Sequence, residues 1–180
     1  MARCLLADPQ MKVLLALDGS RVSAFATREV AERPWPEGTT VRVLSVAHLI
    51  PPTTPFFNEV TFEYERVVTE FMDAAREIAV RGADELEAAG LRAESAVRQG
   101  DPRLSILDEA KDWGAELIIV GSHGRTGVER WLMGSVAEYV VRHAPVSVEV
   151  VRAPPEPSTP EKRAPSSASK TPERPQFQSR

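Results

Sequence analysis

Two glycine clusters carry the clearest chemical pattern in the chain. Gly121-Ser122-His123-Gly124 leaves an aliphatic run, and Gly134-Ser135 follows ten residues after Gly124. Glycine lets backbone N–H groups approach an anion with no side chain in the way. A helix that opens at the second cluster adds unsatisfied N–H donors and the positive end of its dipole. Ser135 would add a hydroxyl and could cap that helix, and Arg125 and Arg130 between the clusters could add charge-assisted contacts. The chemistry this suits is phosphate binding. Taken alone, the same glycines would also serve a tight turn followed by a serine cap.

Asp18, in Asp18-Gly19-Ser20, has two readings. An aspartate at a strand-to-helix turn bonds nearby backbone N–H groups, and at the carboxyl end of a strand it can also face a ligand or a metal. His48, His123 and His143 do not share metal-ligand spacing, and Cys4 has no second cysteine to help. His123 lies inside the glycine pattern, where its backbone is expected to matter more than its imidazole. A nucleophile elbow of the form G-x-S-x-G is absent, as are a G-x-x-x-x-G-K-S/T phosphate loop and a G-x-G-x-x-G after the first strand.

These residues need elements to hold them. Lys12–Leu17 reads as a buried strand, and Ser20 or Ser23 caps a helix that Pro34-Trp35-Pro36 stops. A valine-rich strand over 41–46 precedes a long irregular loop over 50–62, where Phe56 and Phe57 would lie above the site. Val67, Phe71, Ala74, Ile78 and Leu86 at helical spacing predict one helix over 61–89, ended by Gly90. A weaker strand over 92–98 leads to Asp101-Pro102, a cap and first-turn proline for a helix with Leu104, Leu107 and Ala110 facing the core. A strand over 117–120, a helix over 135–142 and a strand over 146–151 complete the pattern. Alternation of this kind predicts a doubly wound parallel sheet of about five strands, Rossmann-like, with helices on both faces. Ligands in such sheets sit at the carboxyl ends of the strands, where strand order reverses. The loops at 18–20, 47–62 and 121–134 therefore frame the expected site.

The spacing Gly121-x2-Gly124-x9-Gly134-Ser135 resembles the ATP-binding signature of the universal stress proteins. The likeness extends through Val13-Leu-Leu-Ala-Leu-Asp-Gly-Ser20, Gly100-Asp-Pro, Gly114-Ala-Glu-Leu-Ile-Ile-Val-Gly-Ser-His-Gly-Arg and His143-Ala-Pro-Val, across 12–152 in the family's order. The resemblance implies that Asp18 contacts the ribose or a metal (Mg2+ or Mn2+) bound with the phosphates. It implies that Val46 and the backbone of Ala16 and Leu17 line the adenine pocket. Gly121, Gly124, Gly134 and Ser135 would cradle the phosphates of ATP, with Ser122, His123, Arg125 and Val136 also in the nucleotide site. A homodimer through the last strand is also implied. The sequence departs from the family in two places. Ala137 stands where many nucleotide-binding members have Ser or Thr, and Ser147 and Glu149 interrupt a usually aliphatic last strand, so both are expected to face solvent or a partner.

At 180 residues and 42% apolar content the chain fits one domain with a packed core. Its net charge of −4 divides unevenly. From Arg152 onward six basic residues stand against three acidic, giving +3 and leaving −7 for the rest. An acidic domain with no basic patch before that segment argues against a nucleic-acid partner. Seven of the fifteen prolines and five serines fall after residue 152, a composition expected to stay disordered. The expected organisation is an extension over 1–10, a nucleotide-binding domain over 11–152 and a Pro/Ser-rich tail over 153–180. With no signal-peptide pattern, no spanning apolar run and no disulfide pair, a cytoplasmic location away from membranes is expected. Two functions fit: a dimeric ATP-binding sensor or regulator with at most slow hydrolysis, or an interaction protein with an unoccupied site, acting through its dimer surface and tail.

Overall fold

A computed structural model describes residues 10–48, 61–124 and 133–154. The elements run β1 (Lys12–Leu17), α1 (Arg21–Glu32), β2 (Thr40–Ala47), α2 (Thr61–Ala88), β3 (Arg92–Gln99), α3 (Pro102–Trp113), β4 (Leu117–Gly121), α4 (Ser135–His143) and β5 (Ser147–Val151). The five strands form one parallel sheet in the order β3-β2-β1-β4-β5. Strands β1 to β3 step outward one way and β4 and β5 the other, so the order reverses between β1 and β4.

The middle strands are apolar on both faces, as strands covered on two sides must be. Val13, Leu15, Leu17, Val41 and Val43 pack with Ala26 and Val30 of α1 and with Ala83 and Leu86 of α2. On the opposite face Leu14, Leu44 and Ile118 pack with Ile106 and Ala110 of α3 and Ala137 and Val140 of α4.

The helix ends follow local chemistry. Ser20 caps α1 by accepting from the Ser23 N–H at 3.2 Å, and the extended Arg33 before Pro34 ends it. After α2 the N–H of Leu91 reaches Leu86 O at 3.1 Å while that of Gly90 reaches Glu87 O at 2.9 Å. That paired closure needs a left-handed residue, and Gly90 supplies it with φ of 91°. Asp101 caps α3 through the Arg103 N–H at 2.9 Å, with Pro102 in the first turn.

One expectation about facing is corrected. Leu104 of α3 is 51% exposed, whereas Ala110 is buried and Leu107 packs against the core as expected, with Ser105, Ile106 and Glu109 also turned inward. On α2 Ala79, Ala83 and Leu86 are buried toward the sheet, and Phe71, Ala74 and Ala75 line a cleft. Phe56, Phe57, Arg125, Arg130 and the segment after 154 lie outside the described residues.

Candidate functional site

The strand-order reversal parts the chain ends of β1 and β4, and a cleft of about 840 Å³ opens there. Asp18 enters it from the turn after β1, and Gly121 to Gly124 enter it from the end of β4. Ala16, Leu17, Val46, Ser122, His123, Gly134, Ser135 and Val136 line the same cleft. Of the residues that sequence reasoning assigned to a ligand, Arg125 and Arg130 lie outside the described residues. Leu44, Ala47, His48, Phe71, Ile106 and Met133 also line the cleft and were not assigned to a ligand. For the apolar ones the alternation of β2 and the phase of α2 and α3 held a signal, but one indistinguishable from core packing.

The two glycine clusters are joined directly. The Gly134 N–H donates to Ser122 O at 2.8 Å, and the Ser122 N–H donates to Val151 O at 2.7 Å. This places the head of α4 beside the exit of β4. A Cβ on Gly134 would lie 3.1 Å from Ser122 O and 3.4 Å from the His123 Cα, so a side chain here would force the loop backbone to give by a few tenths of an ångström. Gly134, not Ser135, is the N-cap of α4, and no side chain caps the helix. The expected Ser135 cap is thus replaced by a first-turn position, which leaves its hydroxyl on the cleft wall. The first N–H groups of α4 therefore have no side-chain acceptor of their own, the condition under which a helix N-terminus receives an anion.

The turn reading of Asp18 is met by its hydrogen bonds. Its Oδ1 accepts from the Ser20 N–H at 3.0 Å and from the Ser23 hydroxyl at 2.5 Å, and its own N–H donates to Ser23 Oγ at 2.9 Å. Oδ2 turns toward the glycine loop, since a Cβ on Gly124 would lie 2.6 Å from it. The turn therefore orients the carboxylate, and Gly124 is small enough to let it stand there. His123 places Nδ1 3.2 Å from Ser122 Oγ and keeps Nε2 buried.

At the far end of the cleft, β2 and β3 are tied by the Gly100 N–H, which donates to Ala47 O at 3.1 Å. The bond from the Arg103 side chain lowers the Asp101 pKa to about 2. That bond neutralises the capping carboxylate beside Pro102, which lines the cleft. Among the described lining residues there is no Lys or Arg, and Asp18 is the single carboxylate. A phosphate here would be met by N–H groups, hydroxyls and the helix dipole. A divalent ion shared between the phosphates and Asp18 suits the donor set, because Mg2+ commonly takes one or two carboxylates plus phosphate oxygens. Among the described residues no group of three His, Cys, Asp or Glu could hold a metal without such a ligand.

Comparison with known proteins bears on the family and the fold. A model of the universal stress protein family matches residues 10–152. The universal stress protein YxiE of Bacillus subtilis is 28% identical over 145 residues, covering 78% of this chain and 98% of its own. A putative universal stress protein, SERP1273, of Staphylococcus epidermidis is 32% identical over 145 residues, covering 78% and 82%. Among solved structures, the hypothetical protein MJ0577 superposes with a TM-score of 0.64 at 26% identity, over 81% of this chain and 97% of that one. Two neighbours that share the fold at lower identity carry nucleotides. One, from Arabidopsis thaliana, has AMP bound (TM-score 0.56, 19% identity, 83% and 97% covered). The other is a universal stress protein in complex with cAMP (TM-score 0.52, 20% identity, 79% and 97% covered).

Proposed function

The chain belongs to the universal stress protein family, and on that premise we propose that it binds ATP, with Mg2+ or Mn2+, in the cleft between β1 and β4. The observation that carries this reading is the joint between the glycine clusters. The 2.8 Å bond from Gly134 to Ser122 sets the uncapped head of α4 beside the β4 loop, with Asp18 facing Gly124 across it. The phosphates would lie on the N–H groups of Gly121, Gly124, Ser135 and Val136. The metal would bridge them to Asp18, and the base would rest between Ala16, Leu17 and Val46. AMP and cAMP in structural neighbours support an adenine nucleotide.

The site is built for holding rather than turnover. Oδ1 of Asp18 is engaged by two donors of its own turn, and no described lysine or arginine reaches the cleft to stabilise a transferring phosphoryl group. ATP occupancy would then act as a signal, read by a cytoplasmic homodimer that serves as a stress sensor or regulator. A second reading, an interaction protein with an unoccupied site, draws on one observation. Each glycine of the pattern also answers to a packing demand, Gly121 against Val22, Gly124 against Asp18 and Gly134 against Ser122. The glycines could therefore persist without a ligand.

Isothermal titration with Mg-ATP separates the two. Roughly micromolar binding, near −8 kcal/mol, is expected for the native chain. No heat is expected for Gly124→Val, whose side chain would take the place of the Asp18 carboxylate. Circular dichroism on that variant verifies that it remains folded. Absence of heat with the native chain would favour the interaction protein.

A further inference from the structure

The last strand ends beside the cleft, and the segment that follows it starts there. Val151, the final residue of β5, pairs with Gly121 across the sheet and accepts the Ser122 N–H at 2.7 Å. Three residues on, the carbonyl of Pro154 accepts from Arg21 Nη2 at 2.6 Å. Arg21 opens α1 directly after the Asp18 turn. Its neighbour Val22 lies against the end of β4, where a Cβ on Gly121 would come within 2.9 Å of Val22 Cγ1. The base of the tail is thus tied to the two loops that form the glycine and aspartate sides of the cleft.

Charge gives this placement a use. After Pro154 the sequence carries five basic residues (Lys162, Arg163, Lys170, Arg174 and Arg180) against three acidic (Glu156, Glu161 and Glu173), a net of +2. Since the whole chain is −4, residues 1–154 carry −6. The described lining of the cleft has neither Lys nor Arg, so its N–H groups and hydroxyls meet a phosphate as neutral donors. A triphosphate with one divalent ion keeps net negative charge, and a cation binds such oxygens more strongly than a neutral donor does. Reach is no obstacle. Neighbouring strands are about 4.8 Å apart, so the end of β5 stands about 10 Å from that of β1 in the order β3-β2-β1-β4-β5. Lys162, the first of these cations, follows Pro154 by eight residues, up to about 27 Å of chain.

We propose that residues 155–180 turn back over the phosphate end of the cleft, where Lys162, Arg163, Lys170 and Arg174 contact the outer phosphates of a bound nucleotide. The inference rests on the reading of the cleft as a nucleotide site and deepens it, because the tail then selects triphosphates over monophosphates. Tethering makes the contact effective. A cation on the same chain faces the phosphates at an effective concentration on the order of millimolar. Arg125 and Arg130, between the glycine clusters, are the sequence's other candidates for these phosphates, and the test leaves both in place.

The test compares equilibrium binding of Mg-ATP and of AMP to three forms of the whole chain. One is native. The second carries Lys162→Gln, Arg163→Gln, Lys170→Gln and Arg174→Gln. The third carries Lys162→Arg, Arg163→Lys, Lys170→Arg and Arg174→Lys, which keeps every charge. All four positions lie beyond β5, the last described element, and circular dichroism verifies the fold. The glutamine form is expected to bind ATP about 10-fold more weakly than the native chain, the combined yield of a few exposed ion pairs, and AMP within about 2-fold of it. Its ATP affinity should also fall less steeply with added salt, since fewer exposed charges remain to be screened. The charge-conserving form is expected to match the native chain for both ligands. Native ATP affinity in the glutamine form overturns the proposal, as does an equal loss for AMP, which would place the tail's effect away from the outer phosphates. Loss in the charge-conserving form would overturn the role of charge. Failure of the native chain to bind either nucleotide would instead remove the reading of the cleft itself.

Discussion

Glu149 places a carboxylate in a strand otherwise made of valine and serine, and the structure gives it a partner within the chain. Arg33, just past α1, donates to both of its oxygens at 2.6 Å and stacks over Trp35 with 5.1 Å to the ring centroid. Sequence reasoning expected Glu149 to face solvent or a partner. What it could not locate was Arg33, 116 positions away, because such a pairing exists only once the sheet order is known. The guanidinium bond lowers the pKa of Glu149, with burial opposing it, and raises that of Arg33. A carboxylate with a folded pKa below its unfolded value, about 4.3, contributes stability that is complete above that value. The contribution is lost as pH falls through the folded value. Both side chains remain about a third exposed, so solvent screening reduces the pair to about 1 kcal/mol. Glu149→Gln is therefore expected to lower the melting temperature by several degrees at pH 7. The difference between the variant and the native chain should shrink as melts are repeated from pH 5 down to pH 3. A gap that stayed constant with pH would mean that the pair contributes packing and not charge.

Among the elements, α2 shows best which features local spacing reveals. Its existence, its length and its glycine stop are readable from periodicity and from Gly90. Its facing is only half readable, because the helix serves two surfaces. The C-terminal half packs Ala79, Ala83 and Leu86 on the sheet, and farther up Phe71 and Ala74 face the cleft. One apolar stripe cannot distinguish a core from a binding wall. Helix α3 misleads for a different reason. Glu109 turns inward, where its carboxylate receives Arg42 at 2.6 Å and also Arg98, so a polar letter occupies the inner face and Leu104 is left outside. Burial raises the pKa of Glu109, yet the bonds from Arg98 and Arg42 together bring it below the usual value, and the carboxylate stays charged there.

Gly82 is a feature of α2 that no helical pattern marks. A Cβ there would lie 2.7 Å from Leu17 Cδ1 and 3.1 Å from Val43 Cγ1, so any side chain at this position would make Leu17 and Val43 shift or push the helix away from β1 and β2. Gly82→Ala sets two effects against each other. Alanine improves helix propensity by about 1 kcal/mol, while overpacking a closed core costs about 1 to 3 kcal/mol. Leu17 is 7% exposed and has little room to turn, so the cost is expected to win. A net loss of about 1 kcal/mol in urea unfolding is the expected outcome. Leu17 also lines the cleft, so a weaker affinity for ATP should accompany the loss. A variant more stable than the native chain would show that α2 can shift outward freely.

At the scale of the molecule, alternating strands and helices announced a doubly wound parallel sheet, and the sheet has that form. The strand order was not legible, since it depends on which distant strands meet, and the order is what selects two of the three candidate loops as the centre of the cleft. The order also leaves two edges, β3 and β5, and unpaired edges invite pairing with another chain. They are not equivalent. Strand β3 carries Arg92, Glu94 and Arg98 along its eight residues, a charge density that discourages edge pairing. Strand β5 carries a single charge, Glu149, and Arg33 already neutralises it. Val148 and Val150 remain half-exposed at this edge after packing against the α3 and α4 side of the core. The homodimer proposed above is therefore expected to form through β5 and not through β3. Light scattering at low micromolar concentration should give about twice the chain mass for the native protein. Val148→Lys, which adds an edge lysine, should give the mass of one chain with the circular dichroism of the native fold, while Glu94→Lys on β3 should remain dimeric. A native protein that scatters as a monomer at that concentration would remove the dimer. Dissociation by the β3 substitution alone would move the interface to the opposite edge.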